Sequence, residues 1–367
     1  MSAVQVEPLE DKNRFLAAYG SLLAQADGAT IFQSPAWIEA WLEGAPSNVA
    51  LWTIAAFEGG ETVLLGVVGA PKRKHPAALG AQAAHLFEFG VPDSDAIYTE
   101  YNDFLIRKEA SPESRSLAIE AALDQIGPFD EFVVRNARAP LVEAARHVAE
   151  KRGHDFRILN EQSTYVADLD AAREAGGYLA SKSASFRTQI RRAATLYEAR
   201  GNLSLTLAET PEERRAARDD LIRLHEAAWR ARGRRGVFSN AALTSFHRRL
   251  EERAPDCVHL LTLSAGDEAL ACLYNLAFDG CIYNYQSGFK FEEDNRLKPG
   301  LLTHAMAADF YMARGYRRYD FLAGDAPYKT RLGGRNEQLT SFAIDCGEGA
   351  GAAFRRTVRR ARTRRRS

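Results

Sequence analysis

Methionine and cysteine are scarce in this chain, at 3 and 4 of 367 residues. The cysteines, Cys257, Cys272, Cys281 and Cys346, form no CxxC pair and stand near no histidine at metal-ligand spacing. Zinc ribbons, disulfide scaffolds and dithiol redox motifs are thereby excluded, and no metal site is expected. Three of the four lie in apolar, strand-like runs and read as buried, reduced thiols.

Long hydrophobic runs are also missing. Stretches such as Val63 to Ala70 fall far short of the roughly 20 residues that cross a bilayer. The opening MSAVQVEPLEDKNRF has no basic region followed by an apolar one, so nothing marks it for secretion. The expectation is a cytoplasmic protein without a transmembrane segment.

Net charge is absent as well, with 48 basic residues against 48 acidic ones. Residues 355–367 nevertheless hold eight arginines (355, 356, 359, 360, 362, 364, 365 and 366) and no acid, so the remainder carries 40 basic against 48 acidic residues, a balance of −8. Residues 349–367 read as a solvated, disordered tail, with peripheral contact to anionic membrane, nucleic acid or an acidic partner as the alternative.

What is present is the material of a globular protein: 46% hydrophobic and 26% charged residues, in a length that favours two domains. The first, residues 1–160, shows helical spacing at Asn13–Ala24, Pro35–Glu43, Pro112–Gln125 and Pro140–Arg152. Strand patterns occupy Leu51–Phe57, Thr62–Ala70 and Glu131–Arg135. PKRKHPAALG (71–80) reads as a surface turn.

The second domain, residues 161–348, opens with an extended stretch at Thr164–Leu169. A long helix from about Gly177 to Arg200 follows, with Phe186, Ile190, Ala194 and Tyr197 as its apolar stripe. Strand Leu203–Leu207 leads to a helix capped by Thr210 with Pro211 at its first position, running to Trp229, and then to a helix at Ala241–Arg253. Val258–Ser264, Ala269–Ala277 and Cys281–Ser287 read as an antiparallel meander with tight glycine turns. A helix, strand Arg317–Leu322 and a last strand Gln338–Asp345 complete a mixed α/β sheet with one parallel junction.

The most informative stretch runs from Cys281 to Lys329: a strand, a polar loop closed by Pro299-Gly300, a helix, and a second strand carrying Asp320. This order puts the unpaired N–H groups of a helix start beside the ends of two strands, a natural seat for a pyrophosphate.

Six segments together resemble one family: IFQSPAWIEAW (31–41), SASFRTQIRRAATLYEARG (183–201), LIRLHEAAWRARGRRGVF (221–238), YNYQSGF (283–289), LKPGLLTHAM (297–306) and YDFLAGDAPYK (319–329). In this order, across nearly the whole chain, they are similar to the CelD/BcsL-type acetyltransferases, a GNAT-superfamily group associated with cellulose biosynthesis and related to Fem-type peptidyltransferases. The resemblance implies tandem GNAT-like domains with the active cleft in the second. It also implies acetyl-CoA or another acyl-CoA as co-substrate, and an amine or a sugar hydroxyl, on a small molecule or glycan precursor, as acceptor. The first domain, lacking a phosphate loop, is expected to shape the acceptor cleft without binding CoA.

By the resemblance, the pyrophosphate loop falls at Arg296-Leu297-Lys298-Pro299-Gly300-Leu301-Leu302, with one glycine where the family motif has two. Gly300 would allow close backbone approach, the N–H groups of Leu301, Leu302 and Thr303 would meet the phosphates, and Arg296 and Lys298 would add charge. The other reading is a plain helix start with solvated cations. Ser287 and Gly288 stand where a splayed strand could bond the pantetheine arm.

Acyl transfer to an amine requires a base, an oxyanion donor and an acid for the leaving thiolate. Asp320 and His225 are candidate bases, Lys329 a candidate oxyanion or phosphate ligand, and Tyr328 a candidate acid. Against this, Asp320 reads equally as a carboxylate tied to backbone N–H groups, and His225 as a satisfied core histidine. Arg187 and Arg191, one helical turn apart, suggest an anionic acceptor, and Trp229 and Arg235 border a glycine-containing loop that could close over it. No serine or cysteine sits in a nucleophile motif, so direct attack is expected. The alternatives are aminoacyl-tRNA-dependent peptidyl transfer, with tRNA held by the arginine tail, and a non-catalytic binding module in polysaccharide biosynthesis.

Overall fold

The computed structural model describes residues 3–72 and 82–347. The arginine tail and nearly all of the 71–80 turn lie outside the described residues. The chain divides into two units, Met1–Glu161 with Gln338–Ser367, and Gln162–Glu337.

The first unit contains β1 (Ala3–Pro8), α1 (Lys12–Leu23), α2 (Pro35–Glu43), β2 (Val49–Glu58), β3 (Glu61–Pro71), β4 (Ala83–Leu86), β5 (Leu105–Ile106), α3 (Ser114–Gln125), β6 (Glu131–Ala137) and α4 (Ala139–Arg152). Strands β1, β2, β3 and β4 pair antiparallel in sequence, β4 runs parallel to β6, and β13 (Gly334–Asp345) closes the row antiparallel to β6. Ser34 caps α2 by accepting the Trp37 N–H, and Gly153, at φ +68°, ends α4 in the left-handed conformation that glycine adopts without strain. Trp37 and Trp41 are fully buried, the latter stacked on Phe89 at 4.7 Å.

The last strand corrects an expectation. Gln338–Asp345 was assigned to the second domain, but Thr340 through Asp345 register against Ala137 through Glu131 in the first unit. Its run of buried residues suits a strand with neighbours on both sides, but sequence pattern does not say which edge it joins.

The second unit contains the end of β7 (Asp155–Asp168), α5 (Leu169–Glu174), α6 (Ala184–Glu198), β8 (Leu203–Leu207), α7 (Pro211–Arg230), α8 (Ala241–Arg253), β9 (Val258–Ala265), β10 (Glu268–Phe278), β11 (Cys281–Phe289), α9 (Pro299–Ala313), β12 (Arg318–Ala323) and α10 (Lys329–Leu332). Its strand order is β8-β9-β10-β11-β12-β7, antiparallel except for the β11–β12 junction. This repeats the first unit's order: four antiparallel strands, a parallel partner reached through a helical connection, and an antiparallel closing strand. The Asp279-Gly280 turn, with φ of +43° and +70°, has the doubly left-handed backbone of a tight hairpin.

Helix α6 starts later than its periodicity predicts because the Ser183 hydroxyl accepts the Phe186 N–H, while Gly176 and Gly177 hold the preceding turn at positive φ. Phe186, Ile190 and Tyr197 pack with Leu302, Ala305 and Tyr311 of α9 on one face of the sheet. Helices α7 and α8 meet the other face, where the Cys272 thiol donates to the Ala217 carbonyl and His247 meets Tyr274. No helix among the described residues is long and apolar enough to cross a membrane.

Candidate active site

Two irregularities open the sheet of the second unit. Strands β11 and β12 pair only through Cys281–Arg318, Ile282–Tyr319 and Tyr283–Asp320. Beyond Tyr283, residues 284–289 continue alongside β10 with no β12 register on their other edge. In β11 itself, Gln286 opposes Tyr274 and Asn284 opposes Asn275, so Tyr285 is an extra, bulged residue. Strand alternation breaks there, and Tyr283, Asn284 and Tyr285 are all buried.

On the opposite strand, Leu322 takes φ +60°, an unusual conformation for a branched side chain. Two of the predicted chemical residues hold it. The Asp320 Oδ1 accepts the Leu322 N–H at 2.7 Å, and the Lys329 Nζ donates to the Leu322 carbonyl at 3.1 Å and the Ala323 carbonyl at 2.6 Å. Asp320 and Lys329 are 2% and 8% exposed, so both use polar groups to fix a strained bulge where β12 parts from β11 and shifts register against β7.

Tyr328 is 38% exposed and stacks at 8° on His304. His304 sits in the second turn of α9 among Phe289, Tyr319, Phe321 and Tyr328, its Nδ1 2.9 Å from the Tyr319 hydroxyl and its buried Nε2 without a hydrogen-bond partner among the described residues. Burial, with the nearby Lys329 charge, pushes its pKa down to about 3, so the ring is neutral near pH 7. Burial raises the Tyr328 phenol above its usual value, which keeps its proton in place. A lone histidine in an apolar helix gave no sequence signal; only ring packing identifies it.

The helix start differs from its expected form. Lys298 is the N-cap and makes no side-chain cap bond, while Leu302 N–H already donates to the Lys298 carbonyl. The N–H groups outside the helical ladder are therefore those of Gly300 and Leu301. Leu302 is bonded and buried, and Thr303 is fully buried with its hydroxyl donating to the Pro299 carbonyl, so neither offers the predicted phosphate contact. Arg296 is held by Asp294 through a bidentate pair at 2.7–2.9 Å and is not an unengaged cation. Lys298 makes no ion pair among the described residues.

Gly288 also serves another purpose. A Cβ there would lie 2.7 Å from the Leu221 carbonyl oxygen and 2.9 Å from the Leu224 Cβ, so glycine lets α7 rest on β11. Ser287 donates its hydroxyl to the Asn284 Oδ1, and its carbonyl accepts from the His225 Nδ1–H at 3.1 Å. The His225 Nε2 accepts the Val237 N–H at 3.4 Å. With both nitrogens on backbone and its pKa lowered by burial, His225 is a neutral tie between α7, β11 and the 237–239 turn, which matches its reading as a satisfied core histidine and not that of a base.

Of the predicted acceptor residues, Arg187 is folded back onto the Lys182 carbonyl at 2.5 Å, while Arg191 and Arg235 are exposed. Trp229 is half-buried, 5.9 Å from the His225 ring and below the Arg232 guanidinium. The structure does not cluster these four.

Residues 184–330 match the Acetyltransferase (GNAT) domain family. No curated protein matches the chain. Among solved structures, FemX aligns with a TM-score of 0.57 at 11% identity, covering 93% of this chain and 96% of that one. A tandem GNAT protein from the clavulanic acid biosynthesis pathway gives 0.52 at 14% identity, covering 95% and 100%. L-PGS from Bacillus licheniformis gives 0.53 at 12% identity, covering 93% and 94%. The chain thus has a mixed α/β, tandem GNAT fold, and its second unit contains the segment matched as an acetyltransferase domain.

Proposed function

We propose that the second unit transfers an acyl group from an acyl-CoA to an amine, or to a sugar hydroxyl, of a polysaccharide or cell-envelope precursor. The observation that carries this reading is the opening of the parallel β11–β12 pair after Tyr283 and Asp320, followed by an α9 start that has no side-chain cap. The uncapped N–H groups of Gly300 and Leu301, with Lys298 beside them, suit a pyrophosphate. The open edge of residues 284–289 suits the amide-bearing pantetheine arm, and the Tyr285 bulge would turn backbone N–H groups toward a developing oxyanion.

In the reaction, the acceptor nitrogen bonds to the thioester carbonyl carbon, the C–S bond breaks, and the thiolate takes up a proton as the nitrogen loses one. Tyr328, protonated and half-exposed, is assigned as the donor to the thiolate, and Asp320 as the candidate base. Lys329 acts by holding Leu322 and with it the mouth of the opening. Direct attack is favoured over an acyl-enzyme because burial pushes the Cys272 and Cys281 thiols up to about 12, far from the thiolate form. The CelD/BcsL resemblance supports a glycan-related acceptor.

The test is the thermal stability of the full chain with CoA, acetyl-CoA or charged tRNA. A ligand at 100 times its Kd stabilises the folded state by about 2.7 kcal/mol. Stabilisation by CoA that Gly300→Asp removes supports the proposal. Stabilisation by tRNA alone favours a Fem-type transfer, a reading kept because FemX shares the fold along 93% of the chain. No response to either ligand leaves a binding module.

A further inference from the structure

A cavity of about 190 Å³ lies within the second unit, on the face of the sheet covered by α7 and α8. Leu221 and Ile222 of α7, Phe238, and His247 of α8 form one side of it; Tyr274 of β10 and Tyr285 of β11 form the other. Gln286, next to the bulged Tyr285, also reaches the wall, so the cavity abuts the place where β11 breaks register. None of the motif residues discussed above accounts for it.

We propose that this cavity receives the hydrocarbon end of the donor's acyl group and sets the enzyme's preference for a chain of about six carbons. The inference rests on the acyl-CoA reading above and specifies its substrate. Volume is the first argument. An apolar cavity of roughly 150 Å³ accommodates a six-carbon ring, so 190 Å³ takes six to seven carbons, whereas an acetyl methyl would leave most of it unfilled.

Charge is the second argument. The charged side chains at the wall are Arg218 and Arg248, paired with Glu251 and Glu252, and no carboxylate lines the cavity itself, so its wall offers an ammonium-bearing acceptor no anionic partner. His247 does not alter this, because burial holds its pKa near 3 and its ring is neutral.

Position is the third argument. A thioester lying along the open edge of residues 284–289 would have its acyl carbon beside Tyr285, from which the chain can turn through the bulge toward α7 and α8. The His247 Nδ1 is 3.0 Å from the Tyr274 hydroxyl, while its buried Nε2 has no partner. That nitrogen is the one fully buried side-chain polar atom of the wall without a partner among the described residues, and it gives the cavity a point of contact for a chain that carries a hydroxyl.

The experiment is calorimetric titration of the full chain with CoA, acetyl-CoA, hexanoyl-CoA and dodecanoyl-CoA, using the wild type, Ile222→Trp and Phe238→Ala. Burying four further methylenes corresponds to as much as about 200-fold in affinity, and at least about tenfold is expected for hexanoyl-CoA over acetyl-CoA. Ile222→Trp, which fills the cavity, should erase that preference while leaving CoA affinity unchanged. Phe238→Ala, which enlarges it, should move the optimum toward the longer chain, and it serves as the second test if the tryptophan variant does not fold. Equal affinity for acetyl- and hexanoyl-CoA overturns the inference and leaves the donor reading intact. Failure of every CoA species to bind overturns both.

Discussion

Acidification should weaken the second unit and spare the first. His247 and His304 are neutral in the fold, their pKa values pushed down to about 3 by burial, whereas in the unfolded chain a histidine titrates near 6.5. The folded pKa is depressed, so the unfolded state binds protons first. The stabilising contribution is complete above pH 6.5 and is lost progressively as pH falls toward 3. At pH 5 each ring costs about 2 kcal/mol. The two rings lie on opposite faces of the sheet, so their effects should add to about 4 kcal/mol, a fall in Tm of about 8–16 °C for a unit of this size. In the first unit the sign reverses: burial and the neighbouring Glu88 raise the Asp95 carboxyl to about 6, so its folded form gains protons first and is favoured as pH drops below that value. Scanning calorimetry at pH 7.5 and 5 should therefore show the second unit's transition falling while the first unit's does not. His247→Phe and His304→Phe should each remove about 2 kcal/mol of the second unit's loss at pH 5, while His225 and His259, whose pKa values burial also lowers, keep their share of it. Equal movement of both transitions, or an unchanged pH response in both variants, would falsify the argument.

Gly288→Ala should destabilise the second unit by about 1–3 kcal/mol, because its Cβ would press on the Leu221 carbonyl and Leu224. Gly300→Ala, whose Cβ would meet only the Phe289 ring at 3.4 Å, should cost less, and urea unfolding of the two variants checks the order. Lys329→Met leaves the Leu322 and Ala323 carbonyls without their ammonium donor and should cost about 1–3 kcal/mol, read as a lower Tm together with faster proteolysis near residue 322. A chain ending at residue 337 loses the strand paired with β6 and the Phe342 ring stacked on Phe156, so the first unit's calorimetric transition should disappear.

Much of the architecture was legible because local chemistry and tertiary packing agree. Ser34 with Pro35, and Thr210 with Pro211 and Glu213, announce helix starts that the structure places where they were read. The Asp279-Gly280 turn fixes the β10–β11 hairpin, and the β11–α9–β12 order yields the expected parallel junction. Short or irregular pieces were less legible. Strand Ala83–Leu86 has only four residues, Ala3–Pro8 is an edge strand with no buried face, and the turn after Gly176 absorbed what resembled the start of α6.

The candidate site divides along the same line. The sequence determined that a strand, a proline-glycine helix start and a second strand with Asp320 would come together, because each of those steps is local. Only the tertiary structure decided what the side chains there are occupied with. Arg296 turned to Asp294, His225 became a double backbone tie, and Gly288 became a seat for α7. Asp320 and Lys329 converged on one left-handed leucine. His304, His247 and the cavity beside Tyr285 are assembled from α7, α8, α9, the β10–β11 hairpin and β12. Hydrogen bonds and ring contacts between distant segments depend on which groups burial has already left unpaired, and no spacing of residues along the sequence records that.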